Sequence, residues 1–190
     1  MTITLSNTEL NTLPGLEEYN EHIDYSITSE SGFDHYRLLS YLSTCFNNEI
    51  LYDIGTRSGA SAVALSFNQN NTVKSFDIVN KLKIITTPPN LEFIIEDNVT
   101  KRDELLKVKL IMLDVDPHDG GYEKILIDYL IENKWEGLLL LDDTKEEYWP
   151  EIYELIKSYT NIKQVDLTKY GHFSGTTCFN FSKDINFNLQ

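Results

Sequence analysis

Positive charge is what this chain has least of. Of its 190 residues, 16 are Lys or Arg and 30 are Asp or Glu, a formal net charge of −14. Nucleic-acid binding relies on neutralising phosphates with Lys and Arg, and no basic stripe is visible, which argues against a nucleic-acid partner. The same charge opposes binding to anionic membranes. Cysteine is also scarce. Cys45 and Cys178 sit in apolar segments and form no metal-spacing motif, so they read as buried free thiols in a reducing compartment. No apolar run approaches a membrane span, and the N-terminal MTITLSNTEL lacks a basic-then-apolar signal pattern, so the expected location is cytoplasmic. No internal repeat or low-complexity tract occurs. What is present is a composition of 41% hydrophobic and 24% charged residues, that of a globular domain large enough for a substantial core.

The informative stretch is Glu49 to Ser66, EILYDIGTRSGASAVALS. Ile50-Leu51-Tyr52 reads as a buried strand that stops at Asp53. The chain then bends through Gly55-Thr56-Arg57-Ser58-Gly59 into a helical pattern, Ala60 to Leu65. A strand, a glycine bend and a helix start together make a ligand pocket. Gly55 can take backbone angles closed to other residues, and Gly59 is expected to let a ligand approach the main chain. A dinucleotide fold would place a second glycine where Arg57 stands; the spacing here is D-x-G-x-x-x-G.

Around this bend the chain alternates strands and helices. A helix is expected from Gly32 to about Phe46, capped by Ser31 or Asp34, and residues 1–31 are expected to form an arm or cap on a domain spanning 32–190. His35, on this helix, reads as a satisfied structural histidine. Thr72 to Asp77 is a second strand ending on an acid about 20 residues past the bend, where a carboxylate accepts hydrogen bonds from ribose hydroxyls. Asn80 to Asn90 is too short for a full crossover helix. Leu91 to Ile95 is a third strand ending at Glu96-Asp97-Asn98. Lys101 to Leu106 is a short helix, and Val108 to Leu113 a fourth strand running into Asp114-Val115-Asp116-Pro117-His118. Glu123 to Asn133 is a helix with Ile125, Leu126, Tyr129 and Leu130 inward. Leu138 to Asp143 is a fifth strand buried on both faces, followed by a helix from about Glu146 to Tyr159. Ile162 to Leu167 and Gly175 to Phe181 suggest a terminal hairpin. The alternation implies an α/β fold, a parallel sheet with helices on both faces.

The bend, the order of strand-end acids and the terminal hairpin resemble the class I S-adenosylmethionine-dependent methyltransferases over roughly Asp34 to Phe181. The resemblance implies a single-domain Rossmann-like sheet of about seven strands with a C-terminal antiparallel hairpin. It also implies S-adenosylmethionine as cofactor, held by Asp53, Gly55, Thr56, Arg57, Ser58, Gly59 and Ser61, with Asp77 on the ribose and either Asp97 or Asn98 on the adenine.

Ligands of open α/β sheets bind beyond the carboxyl ends of the strands, which gathers Asp53, Asp77, Asp97, Asp114 and Asp142 on one rim. An antiparallel hairpin would bring His172 there too. Adjacent carboxylates repel unless a cation sits among them or some are protonated, and Mg²⁺ prefers oxygen ligands. The arrangement is similar to metal-dependent O-methyltransferases of the catechol and the macrolide and aminocoumarin sugar types. Carried over, Asp114 or Asp116 with Asp142 and Asp143 would hold Mg²⁺ and the acceptor oxygen, and His118, or alternatively His172, would take the proton. The expected partner is a small-molecule or sugar-like acceptor, with a homodimer allowed. Two other readings stand beside this one. An accessory cofactor- or sugar-binding module would bind without releasing S-adenosylhomocysteine, and a metal-dependent hydrolase using the aspartates would act without S-adenosylmethionine.

Overall fold

The computed structural model describes residues 1–98 and 102–190. Six strands that alternate inward and outward side chains, or are buried on both faces, begin the architecture: β1 (Thr2–Leu5), β2 (Ile50–Ile54), β3 (Thr72–Asp77), β4 (Leu91–Ile95), β5 (Leu110–Leu113) and β6 (Leu138–Asp142). Three more, β7 (Lys163–Asp166), β8 (Thr176–Asn180) and β9 (Asn186–Leu189), close the chain. Between them lie α1 (Asn7–Asn11), α2 (Leu16–Tyr19), α3 (Tyr36–Thr44), α4 (Ala60–Leu65), α5 (Arg102–Leu105), α6 (Gly121–Glu132) and α7 (Pro150–Ser158).

The main sheet has seven strands in the order β4-β3-β2-β5-β6-β8-β7. All pairings are parallel except those of β8, which runs antiparallel to both β6 and β7. The expected terminal hairpin is therefore real, and its loop returns to the carboxyl ends of β2 to β6. The sheet separates two hydrophobic clusters, and the leucines of β6 show how. Leu138 and Leu140 face the cluster built with α3 and α4, while Leu139 and Leu141 face the one built with α6 and α7. All four are essentially inaccessible, each contributing about 1.5–3 kcal/mol by burial. Helices thus cover both faces.

The first 31 residues supply Ile3, Leu5, Leu10, Leu16, Tyr19, Ile23 and Ile27 to the α3–α4 cluster. β1 pairs in parallel with β9, a second, two-stranded sheet that brings the two ends of the chain together. Arg37, buried on α3, ties this segment down. Its guanidinium donates to the carbonyls of Thr28, Ser29 (2.8 Å), Leu10 (3.4 Å) and Asn11 (3.3 Å).

Several element boundaries differ from expectation. The helix expected from Gly32 begins at Tyr36, capped by the side chain of neither Ser31 nor Asp34, and Phe33 is exposed. Gly32 explains this: its φ is +87° and the Lys169 carbonyl presses on its Cα, a left-handed corner no helix can include. In α6 the buried stripe is Glu123, Leu126, Ile127 and Leu130, an i, i+3, i+4, i+7 pattern, so Ile127 faces inward and Ile125 is exposed. α7 starts at Pro150, not Glu146; Pro fits the first helical turn because that N–H has no partner there. No helix connects β3 to β4, as the length of that segment implied. The expected start of α5, Lys101, lies outside the described residues. Both cysteines are free thiols; Cys178 is buried, but Cys45 is only half-buried. Among the described residues no helix is long and apolar enough to cross a membrane.

Candidate active site

The bend after β2 is shaped first by the protein's own backbone. Gly55 has φ +97°, and a Cβ there would lie 1.6 Å from the Asp114 carbonyl oxygen, so only glycine lets β2 and β5 end side by side. Its N–H donates to the Phe76 carbonyl at 2.9 Å. Gly59 also has positive φ, but what crowds its Cα is Ile84, 2.6 Å from an added Cβ, with Leu82 beyond. The glycine expected to admit a ligand is packed against the β3–β4 connection. Arg57 itself takes φ +46°, and Asp77 Oδ2 accepts its backbone N–H at 2.8 Å.

Asp53, expected to face the cofactor, does not. It is 1% exposed and accepts from Ser75 Oγ at 2.6 Å, and it lines neither cavity beside the bend. Burial raises its carboxyl pKa, with the Ser75 and Ser61 hydroxyls opposing. Its position inside β2 points the carboxylate under the bend, where it braces the turn from behind.

Two cavities flank the bend and share Gly55, Arg57, Lys81, Asp114, Asp142 and His172. One, of about 320 Å³, runs past Phe76, Asp77, Ile78 and Val79 to Asp97, Asn98 and Tyr122. Ile78 and Val79 are exposed apolar side chains, and Asp77 Oδ1 also accepts the Val79 N–H at 2.9 Å. Asp97 is exposed, whereas Asn98 is buried; its Oδ1 accepts the Tyr122 hydroxyl and its Nδ2 has no partner among the described residues. The other cavity, of about 390 Å³, is lined by Tyr25, Asp34, His35, Tyr36, Thr56, Ser58, Ser61 and Lys83. A larger concavity of about 760 Å³ lies against Lys145, Tyr153, Lys157, Gln164 and Asp166 and contains none of the strand-end acids of β2, β3 and β5.

At the ends of β5 and β6, the acids expected to hold one cation, Asp114 or Asp116 with Asp142 and Asp143, divide between two groups. In the first, Asp142 Oδ2 lies 3.0 Å from His172 Nδ1 and 3.4 Å from His35 Nδ1. In the second, His118 Nε2 lies 3.2 Å from Asp143 Oδ2 and 3.9 Å from Asp114 Oδ1, with its ring against Trp149. Asp116 approaches His118 at 3.4 Å but is otherwise turned to solvent. Burial works against a charged His35, yet the Asp142 carboxylate beside it wins and pushes its pKa up to about 9. His172 is raised in the same way, burial opposing and the Asp142 hydrogen bond prevailing. Burial would raise Asp142, but the adjacent imidazoles hold it below the usual carboxylate range. Asp114, half-buried, is raised well above that range by desolvation first and then by the neighbouring Asp142 charge.

His118 and His172 do meet on one rim, as the hairpin topology implied. The residue that sequence reasoning left outside the site is His35, joined by Asp34, whose Oδ1 is 3.8 Å from His172 Nε2. The available signal was position: both precede the helix that leads into β2, and such a helix covers the pocket. Tyr122 and Lys81 carried no signal, because a loop or helix residue reaches the cavity only through the fold.

No family model matches the chain, and no curated protein matches it in sequence. Solved structures do match. An O-methyltransferase from Bacillus cereus in complex with SAH is 14% identical, with a TM-score of 0.54, covering 90% of this chain and 94% of that one. A cofactor-bound protein from MTB is 11% identical, with a TM-score of 0.57, covering 94% and 92%. The MycE methyltransferase of mycinamycin biosynthesis, in complex with Mg, SAH and mycinamycin VI, is 14% identical with a TM-score of 0.52, covering 74% of this chain and 46% of that one. At such identities the likeness is one of fold alone, a Rossmann-like sheet with an antiparallel terminal hairpin shared with solved methyltransferase structures.

Proposed function

We propose that this protein is an S-adenosylmethionine-dependent methyltransferase acting on a hydroxyl oxygen of a small, sugar-like acceptor. The observation that carries this reading is the pair of cavities meeting at Gly55, the form a two-armed ligand needs. The nucleoside arm fits the cavity of Phe76, Ile78 and Val79: apolar walls for the adenine, the unpartnered Asn98 Nδ2 toward a ring nitrogen, and Asp77 toward the ribose hydroxyls. Each Asp77 oxygen already accepts one backbone N–H and keeps a lone pair for a hydroxyl. The amino-acid arm fits the cavity of Thr56, Ser58 and Ser61, where Arg57, Lys81 and Lys83 supply cations for its carboxylate. Tyr25 on that wall lets residues 1–31 act as a cap on the domain of residues 32–190.

In the transfer, the acceptor oxygen attacks the methyl carbon while the carbon–sulfur bond breaks. Sulfur keeps the electron pair and leaves as the neutral thioether of S-adenosylhomocysteine. Alignment of oxygen, carbon and sulfur supplies much of the rate. The hydroxyl proton goes to His118 Nε2, which lies 3.2 Å from Asp143 Oδ2 and 3.9 Å from Asp114 Oδ1; His172 is the alternative base. Mg²⁺ assistance fits the donor set poorly. An all-oxygen shell from Asp114, Asp142 and Asp143 requires the imidazoles of His35, His172 and His118 to withdraw from those oxygens. A cytoplasmic location suits the two free thiols, and a homodimer is compatible with the fold.

Calorimetric titration with S-adenosylhomocysteine tests the reading. Binding is expected for the wild-type chain, weakened about tenfold or more by Asp77→Ala, the loss of roughly one charge-assisted hydrogen bond. His118→Ala should leave that affinity intact and lower turnover of a hydroxylated acceptor by about 10²–10⁴-fold. No binding by the folded wild-type chain would overturn the proposal.

A further inference from the structure

The poor fit to Mg²⁺ has a positive counterpart. We propose that His35, Asp142 and His172 form a binding site for a transition-metal dication of the Zn²⁺ or Fe²⁺ class. One ligand atom from each, an imidazole nitrogen of either histidine and a carboxylate oxygen of the aspartate, all lie within 4.8 Å of one another. Two of the separations are 3.0 and 3.4 Å. Donors held about 2.1 Å from a common ion are separated by about 3.0–3.4 Å along an octahedral or tetrahedral edge, the spacing of each histidine from the aspartate here.

A second observation points the same way. Asp142 is 7% exposed and His35 4%, yet Asp142 Oδ1 accepts no hydrogen bond from the described residues, and His35 Nδ1, 3.4 Å from Asp142 Oδ2, is near that oxygen without a well-formed hydrogen bond. Unmet polar atoms so deeply placed are uncommon. One cation held by both oxygens of this carboxylate and by the two rings satisfies both atoms. The three residues come from three separate elements: the turn before α3, the end of β6, and the β7–β8 loop.

Chemistry selects the ion. Two imidazoles and one carboxylate suit Zn²⁺ or Fe²⁺, whereas Mg²⁺ takes oxygen. Nδ1 coordination needs the proton on Nε2, and Asp34 faces His172 Nε2 at 3.8 Å, placed to favour that tautomer. Asp143 Oδ1, 3.9 Å from His172 Nδ1, is a further oxygen within reach. The Ser174 hydroxyl, 2.8 Å from His172 Nδ1, must rotate aside. All three ligands line the 390 Å³ cavity, so the remaining coordination positions open to solvent and to whatever enters it. With His172 so engaged, His118 is left as the base.

The test uses the untagged full-length chain stripped with chelator, titrated calorimetrically with Zn²⁺ and in parallel with Mg²⁺, and with Co²⁺ as an absorbing probe. One Zn²⁺ per chain is expected, at least about tenfold tighter than Mg²⁺, and Co²⁺ should give visible bands characteristic of mixed nitrogen and oxygen ligands. His35→Ala and His172→Ala should each weaken Zn²⁺ binding about 10–100-fold or more, while Asp116→Asn, outside the set, should not. His172 is partly exposed, so its variant remains informative if loss of buried His35 prevents folding. Absence of Zn²⁺ binding, or binding that both histidine variants leave unchanged, overturns the site. S-adenosylhomocysteine titrated into the same preparations separates this outcome from failure of the methyltransferase reading.

Discussion

His35 shows how much one side chain's meaning depends on its neighbour. In isolation a histidine titrates near 6.5; beside Asp142, despite burial, its pKa rises to about 9. Because the folded value lies above the unfolded one, the stability gained from charging His35 is complete below about pH 6.5 and is lost as pH rises through about 9, a contribution on the order of 3 kcal/mol. Urea unfolding of the metal-free chain should therefore give a lower midpoint at about pH 9.5 than at about pH 6, and His35→Gln should reduce that difference, the remainder coming from His172 and Asp114, which are raised as well. Equal midpoints for the wild-type chain at both pH values would exclude the ion pair. Asp53 teaches the complementary lesson. Its place at the end of β2 was legible, but its role was not, because strand phase alone does not say whether a carboxylate faces the cavity or the Ser75 hydroxyl beneath it.

At the scale of elements, the long apolar strands were readable because burial on both faces leaves an unbroken hydrophobic run, as in Leu138 to Leu141. Helix starts were less so. α3 begins four residues after Gly32 because a contact with Lys169, distant in sequence, fixes the left-handed corner. The same helix carries Arg37, whose four carbonyl partners hold the segment before it. Arg37→Met keeps much of the side-chain volume but leaves those acceptors unmet, a cost of about 3 kcal/mol. Hydrogen exchange should then quicken across residues 7–31 and stay slow in β2, β5 and β6. Uniform acceleration over the whole chain would instead mean that this segment does not open separately.

For the whole molecule, the two-stranded β1–β9 sheet joins the chain ends, and neither strand announced itself: four residues apiece, with exposed polar positions. Ile3 and Leu5 nevertheless reach the core and are 1% and 0% exposed. Deleting residues 1–6 removes their burial, about 1.5–3 kcal/mol each. A fall in Tm on the order of 10 °C is expected in a scanning calorimeter. An unchanged Tm would show that β1 adds nothing to the stability of the main sheet.

The order of strands and helices, the terminal hairpin and the gathering of acids on one rim were determined by the sequence itself, since hydrophobic periodicity and glycine placement act locally. Tertiary structure alone decided which acid meets which imidazole. Asp142 and Asp143 are adjacent in the chain, yet one turns to His35 and His172 and the other to His118. Asp143 has a left-handed backbone, φ +56°, at the end of β6, and side-chain direction there follows from backbone geometry and long-range packing that no local pattern records.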